Sequence, residues 1–290
     1  MNLFNIIEEI EKVDPEVLDR MNPRRSAIKN ITSFGTKVAA AALPFALGTM
    51  FKKAYAQTST TDVAAVLNFA LTLEYLEASF YNTALNKAGL IPGADRDNYI
   101  AKISHDEDAH VLFLRTVIKD ALKQTPVDRA SLQFDFTGGN GSNNGPFATV
   151  FSDYATFLKV SAAFEDTGVR AYKGQAPNLL GNQVVLTAAL GIHAVEARHA
   201  AAIRHLLHTK FSAPLKPWIE STTGKGNDTG IPQVDGNYDG EENTTHLTID
   251  ATTLPETGDS ADIRSVSAAY DEPLSRPDVE ALLVGSFIVA

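Results

Sequence analysis

Cysteine is absent from this chain of 290 residues. Its absence excludes disulfide bonds, thiolate metal ligands and cysteine nucleophiles. Positive charge is also scarce, because 25 lysines and arginines stand against 35 aspartates and glutamates, for a net charge of −10. Proteins bind the phosphates of nucleic acids through cationic faces, so we expect no nucleic acid among the partners.

Long hydrophobic runs are missing as well. The apolar run from Val38 to Met50 is shorter than the roughly 20 residues that a membrane-spanning helix needs. The hydrophobic share of 44% and the charged share of 21% are ordinary for a globular protein. The length fits one substantial domain with extensions, or two small domains.

The N-terminal region has the pattern of an export signal. The stretch NPRRSAIKN at residues 22–30 contains an arginine pair, and the mildly apolar run and two lysines follow it. Ala54 and Ala56 form a small-x-small cleavage site before Gln57. The arrangement resembles a twin-arginine signal over residues 1–56, which implies a periplasmic or otherwise extracytoplasmic protein with no transmembrane segment after cleavage. The alternative is a basic amphipathic helix of the mature protein.

Four long helical patterns follow. Apolar residues recur at helical spacing over residues 62–87, 95–122, 151–173 and 182–209. Asp62 is the expected N-cap of the first helix, and Gly89 its stop. The three connections are short, long and short, and the long one holds the Gly/Asn-rich stretch FTGGNGSNNGPF. This order predicts an all-α four-helix bundle over residues 57–212 with one long crossover.

The composition changes after the fourth helix. Residues 213–290 are acidic and rich in turn residues, with one or two short strands expected. A short terminal helix is predicted after Pro277, with Ser275 as its cap. We interpret this mostly irregular extension as an appendage that packs on the bundle or on a neighbouring copy in a homo-oligomer.

Each predicted helix carries a glutamate in the centre of its apolar face, and in two helices a histidine follows three residues later. The six residues are Glu74, Glu107, His110, Glu165, Glu196 and His199. Buried carboxylates repel one another and need shared protons, cations or a metal. We see no lysine or arginine on the same faces, whereas two divalent metal ions would balance four carboxylates. The sequence therefore predicts a dinuclear metal site formed by these six residues.

An internal repeat supports the same site. Glu74 lies seven residues before Tyr81, as Glu165 does before Tyr172. This shared spacing favours Glu74 as the ligand of the first helix, although Glu77 is also on the apolar face and is an additional or alternative candidate. We expect the two tyrosines to pack in the core with a satisfied hydroxyl; the alternative is that they support the ligands or carry an electron.

The remaining histidines have weaker claims. His193 is expected to be solvated or to support the site, and His105, His205 and His208 to lie on the surface. A set of carboxylates and imidazoles without sulfur suits iron first and manganese second, and zinc competes for such ligands.

The chain from about residue 62 to 209 resembles the ferritin-like superfamily. The segments AFEDTGVRAY, AVEARHAAAIR and DEPLSRPDV further resemble the exported ferritin-like proteins called desiccation-related. The resemblance implies a ferritin-like bundle with a buried site for two metal ions, and it implies no single activity.

Three functions follow as hypotheses. The first is a di-iron or di-manganese oxidoreductase that reacts with dioxygen or peroxide, as ferroxidases and manganese catalases do, in stress protection. The alternative is a non-catalytic metal-binding or structural protein that protects the envelope during drying. Iron storage in a cage is disfavoured by the long acidic extension. No catalytic residue beyond the metal ligands is predicted.

Overall fold

The computed structural model describes residues 59–213, 215–220, 236–246, 248–254 and 263–289. The predicted signal peptide, residues 1–56, lies outside them. The first helix, α1, spans Thr60–Leu85. The prediction of Asp62 as its N-cap is wrong, because the Ser59 hydroxyl accepts from the Asp62 N–H at 3.1 Å and starts the helix earlier. Asp62 lies instead in the first turn, where its charge favours the helix dipole.

Helix α1 is the most apolar helix in the described part of the chain. It meets the length and composition of a membrane span over Asp62–Leu85, with a mean hydropathy of 1.3, yet 72% of that window is buried inside the protein. Glu74 and Glu77 lie on it and are both buried. These features are those of a core helix.

The second helix, α2, spans Ala101–Thr116 and has wider π-helical turns at both ends, Arg96–Ile100 and Val117–Ala121. A short α-helical turn at Gly93–Asp95 precedes the π-helical turn at Arg96–Ile100. The helical segment thus covers nearly the whole of the predicted range. Helix α2 packs along α1.

The third and fourth helices form the second pair. Helix α3 spans Tyr154–Gln175 and is capped by Asp153, whose carboxylate accepts from the Thr156 N–H at 2.8 Å. Helix α4 spans Gln183–Phe211 and is capped by Asn182. They pack against each other and, through α3, against α1. The predicted four-helix bundle with one long crossover is confirmed.

The crossover is organised around one buried carboxylate. Asp135 is 1% exposed, and its side chain accepts from the backbone N–H groups of Thr137 at 3.0 Å and of Gly141 and Asn143 at 2.9 Å each. Gly141 has φ +88°, a value that favours glycine, so that the chain can wrap around the carboxylate. The Gly/Asn-rich composition therefore encodes an ordered turn.

The described residues of the C-terminal extension contain two short strands, β1 at Thr245–His246 and β2 at Ile249–Asp250, which pair antiparallel. Two short helices follow, α5 at Ile263–Ser267 and α6 at Arg276–Leu283. The predicted terminal helix and its Ser275 cap are confirmed, with Asp278 completing a capping box.

The end of the extension joins the bundle core. The Phe287 ring packs edge-on against Phe164 of α3 at 4.8 Å and stacks on Phe147 of the crossover at 5.5 Å. The Phe287 carbonyl accepts from the Asp135 N–H at 2.8 Å. The extension thus packs on its own bundle, one of the two alternatives left open by the sequence.

Two buried arginines anchor the extension to α3 and α4. Arg170 is 1% exposed; its Nε donates to the Glu272 carbonyl at 2.8 Å and its Nη2 to the Asp239 carbonyl at 2.7 Å. Its Nη1 donates to the Asn237 carbonyl, and its Nε lies 2.9 Å from the Glu241 carboxylate. Every one of these partners belongs to the extension.

The second arginine acts from α4. Arg204 forms a buried ion pair with Asp166 of α3 and donates to the Pro217 carbonyl at 2.8 Å. The Tyr238 hydroxyl donates to the same Asp166 carboxylate at 2.6 Å. Neither buried arginine was predicted from the sequence, because no lysine or arginine was expected on the interior faces of the helices.

Candidate metal centre

The four helices bring the six predicted ligands together in the interior. Each of the four carboxylates is 0% exposed: Glu74, Glu107, Glu165 and Glu196. The two imidazoles are nearly as deep, with His110 at 8% and His199 at 5% exposed. Central positions on the apolar faces of four packed helices must meet, and the helical spacing of the sequence predicted this meeting.

The six side chains form two overlapping groups of possible ligands, each with ligand atoms within 4.8 Å of one another. The first group contains Glu74, Glu107, His110 and Glu196, and the second contains Glu107, Glu165, Glu196 and His199. Glu107 and Glu196 belong to both groups. A carboxylate has two oxygens, so one residue can contact two ions, and the shared pair is placed to bridge.

The distances around the histidines show how closely the groups converge. His110 Nδ1 lies 3.2 Å from Glu74 Oε2, 3.3 Å from Glu107 Oε2 and 3.1 Å from Glu196 Oε1. His199 Nδ1 lies 2.8 Å from Glu107 Oε1 and 3.3 Å from Glu165 Oε2. The two rings are 6.3 Å apart. Each histidine therefore points the same nitrogen at its own group.

Asp106 orients one of these rings. Its carboxylate lies 3.2 Å from Nε2 of His199, on the opposite side of the ring from the cluster. A hydrogen bond from Nε2 leaves Nδ1 of the neutral ring free to bind a metal. The hydrogen bond with His199 lowers the pKa of Asp106, which keeps that acceptor charged. Sequence reasoning missed Asp106, although it immediately precedes Glu107.

The two tyrosines hold carboxylates across the bundle. The Tyr172 hydroxyl of α3 donates to Glu74 Oε1 of α1 at 2.5 Å, and the Tyr81 hydroxyl of α1 donates to Glu165 Oε1 of α3. Burial raises the pKa of both phenols well above the usual value, so they remain neutral donors. The predicted core packing with a satisfied hydroxyl is confirmed, and the partner of each hydroxyl is a candidate ligand.

Several buried oxygen and nitrogen atoms of the cluster make no regular hydrogen bond. Within the described residues, Glu107 Oε1, Glu165 Oε2, both oxygens of Glu196 and His199 Nδ1 are buried and make no hydrogen bond of regular geometry. Their close neighbours are other members of the cluster, such as His199 Nδ1 at 2.8 Å from Glu107 Oε1. Burial raises the pKa of Glu107 to about 7, and burial with repulsion from Glu107 raises the pKa of Glu196 well above its usual range. Converging buried atoms of this kind fit divalent metal ions, and the oxygen and imidazole donors suit iron or manganese.

Glu77 lies beside the cluster but belongs to neither group of ligands. It is 3% exposed, and burial together with repulsion from Glu196 raises its pKa well above the usual value. Burial therefore favours the neutral form of this carboxyl group over the ionised form. The geometry supports Glu74 over Glu77, and metal binding by either residue stays a prediction.

The other histidines are outside both groups. His193 is half-buried, with Nδ1 3.0 Å from the Val169 carbonyl. His105, His205 and His208 are exposed, as expected.

A four-helix bundle in which two Glu-x-x-His pairs and two single glutamates converge is the arrangement that ferritin-like carboxylate proteins use to hold two metal ions, so this cluster is compatible with such a site. A sequence model of the ferritin-like domain matches residues 62–209, which cover nearly all of the four helices and about half of the chain. The chain belongs to the ferritin-like family. A search of curated proteins found no match.

Proposed function

We propose that the protein is an exported ferritin-like oxidoreductase whose two metal ions react with dioxygen or peroxide in protection against stress. The observation that carries this proposal is the pair of overlapping ligand groups, whose buried oxygens make no regular hydrogen bond and lie close only to other members of the cluster. Iron is the first choice of metal and manganese the second. The likeness of three segments to desiccation-related proteins supports the role in stress.

The chain's own residues prepare the site for that chemistry. Bound there, two redox-active ions would supply an electron pair and Lewis-acid activation of the oxidant. Tyr81 and Tyr172 fix the outer carboxylates, and Asp106 fixes the ring of His199. Burial of all six ligands excludes bulk water, which strengthens every charge interaction in the site.

Oxidant consumption tests the proposal directly. Metal-free protein loaded anaerobically with iron(II) or manganese(II) should consume dioxygen or hydrogen peroxide in proportion to bound metal. Glu196→Gln should lower both metal content and consumption, because both ligand groups share Glu196. Asp97→Asn, at an exposed carboxylate, should change neither. Oxygen electrode traces and metal analysis of the same samples provide the measurement.

A different outcome would favour the non-catalytic alternative. Protein that retains its metal firmly and is stabilised by it, yet consumes neither oxidant, would be a binding or structural protein.

Export is a separate prediction. Replacing Arg24 and Arg25 together with lysine should leave the protein in the cytoplasm with its N-terminus uncleaved, because twin-arginine transport recognises the arginine pair. Lys29→Arg keeps the pair and should be exported normally. Fractionation and N-terminal sequencing, with Gln57 expected as the first mature residue, provide the measurement. Normal delivery of the double variant would contradict the twin-arginine interpretation.

A further inference from the structure

An open apolar groove lies between α1 and the C-terminal helix α6. Its volume is about 300 Å³, and Phe69 and Leu73 of α1 face Val279 and Leu283 of α6 across it. Arg276 lies at the same groove, with its guanidinium 5.3 Å from the centre of the Phe69 ring. The groove therefore combines an apolar interior with an ion pair, because Arg276 Nε lies 2.7 Å from Oε1 of Glu280, which also lines the groove.

A second, much smaller cavity lies beside the groove and shares two lining residues with it. It has a volume of about 10 Å³ and is lined by Leu73 and Leu283 again, together with Glu77, Phe164 and Gly168. A volume of about 10–15 Å³ accepts roughly one water-sized molecule. Because Leu73 and Leu283 line both spaces, their side chains form the wall that separates them.

Gly168 connects the small cavity to the metal centre. A Cβ atom placed on Gly168 would lie 3.3 Å from Glu77 Oε1 and 3.5 Å from Glu196 Oε2. One glycine of α3 thus borders both the inner end of the cavity and a carboxylate shared by the two ligand groups. Helix α3 presents a hydrogen atom here, and a larger side chain would press against Glu77 and Glu196.

We propose that this groove and cavity form the path by which dioxygen reaches the metal centre, with Leu73 and Leu283 as the constriction and Gly168 as the inner opening. The inference rests on the proposed function and names its oxidant. Dioxygen is apolar and loses little on passing the leucine and phenylalanine side chains of the groove and the constriction, whereas hydrogen peroxide would give up its hydrogen bonds with water there. The polar side chains of Glu77 and Thr167 line only the inner cavity, next to the metal centre. The small cavity also excludes organic reductants, which are held back in the groove.

Xenon tests the path without any metal, because dry apolar cavities bind it. In crystals of the metal-free protein under xenon pressure, xenon should lie in the groove beside Leu73 and Leu283. In Leu283→Ala it should also occupy the inner cavity beside Gly168. Xenon density at neither place in either protein would overturn the path, whatever the metal content.

Nitric oxide, a diatomic probe of iron(II), tests the constriction. Stopped-flow absorbance of the iron(II)-loaded protein should show binding several-fold faster in Leu283→Ala and several-fold slower in Gly168→Ala. Gly191→Ala is the matched control, because it makes the same change in helix α4 where a Cβ meets nothing within 4 Å. Melting temperature and iron content are measured for every variant. If Gly168→Ala loses iron, its rate is set aside and the rate of Leu283→Ala decides the test. Equal binding rates in all folded, iron-loaded proteins would overturn the proposed path. If the wild-type protein fails to bind iron, the proposed function is contradicted instead. The xenon experiment then still decides whether the path exists.

Discussion

The metal-free protein is expected to unfold at a much lower temperature than protein that holds about two divalent ions per chain. Four carboxylates that are 0% exposed converge on two histidines, whose pKa values they raise, so the cluster holds at most two positive charges against four carboxylates until metal binds. An ion that binds only the folded state at about 1,000 times its Kd adds about 4 kcal/mol. For a domain of this size that is a rise of roughly 10 °C in Tm per ion. Differential scanning calorimetry with and without iron or manganese provides the measurement.

The difference should widen as pH rises. Burial raises the pKa of Glu107 to about 7, and the pKa of Glu196 lies well above its unfolded value for the same reason. A raised carboxyl pKa contributes stability that is complete below the unfolded value and is lost as pH rises through the folded value. The metal-free protein should therefore lose stability between about pH 5 and 8. The loaded protein should keep it, because metal binds the deprotonated ligands.

Matched variants of Glu74 and Glu77 on α1 test which of the two glutamates is a metal ligand. Glu74→Gln should lower bound metal strongly, since Glu74 belongs to the first ligand group. Glu77→Gln should retain about two ions, because Glu77 belongs to neither ligand group and burial favours the neutral carboxyl that the amide imitates. Equal losses would show that both residues coordinate. If the protein purifies without metal and added iron or manganese leaves Tm unmoved, shared protons neutralise the carboxylates and the structural alternative holds.

The sequence predicted the bundle and the six candidate ligands because both depend on a local, periodic signal. A glutamate such as Glu107 amid apolar residues at helical spacing marks a buried carboxylate before any tertiary contact is known. Helix ends were predicted less well, as with Asp62, since Ser59 offered a competing cap three residues earlier. Such choices depend on small differences in capping energy.

Contacts between distant segments could not be predicted in this way. Arg170 and Asn237 are 67 residues apart in the chain. The extension has no periodic sequence pattern from which its contact with α3 could be predicted. Arg204 likewise reaches Asp166 on another helix. An arginine on a helix that also carries glutamates is usually a solvated side chain. Only the tertiary structure shows that these two are buried and what they bind.

The second large effect is expected at Arg170, which joins the C-terminal extension to α3. Arg170→Met should destabilise the metal-free protein by about 3–5 kcal/mol. The change removes the donors to three backbone carbonyls of the extension and the cation beside Glu241, whose pKa burial already raises to about 7. Arg170→Lys should fall between wild type and Arg170→Met, because an ammonium keeps the charge but lacks the planar donor fork.

The control for this anchor is Arg198→Met on helix α4. That arginine is exposed, so the change should stay within about 0.5 kcal/mol. Urea unfolding gives the free energies, and limited proteolysis reports whether residues 236–243 open before the bundle unfolds. If the extension only rests on the bundle, Arg170→Met should match the control in both measurements. If Arg170 anchors it, cleavage in that segment should accelerate while the helices stay protected, because the bundle core around Phe80 and Phe157 is packed independently of the arginine.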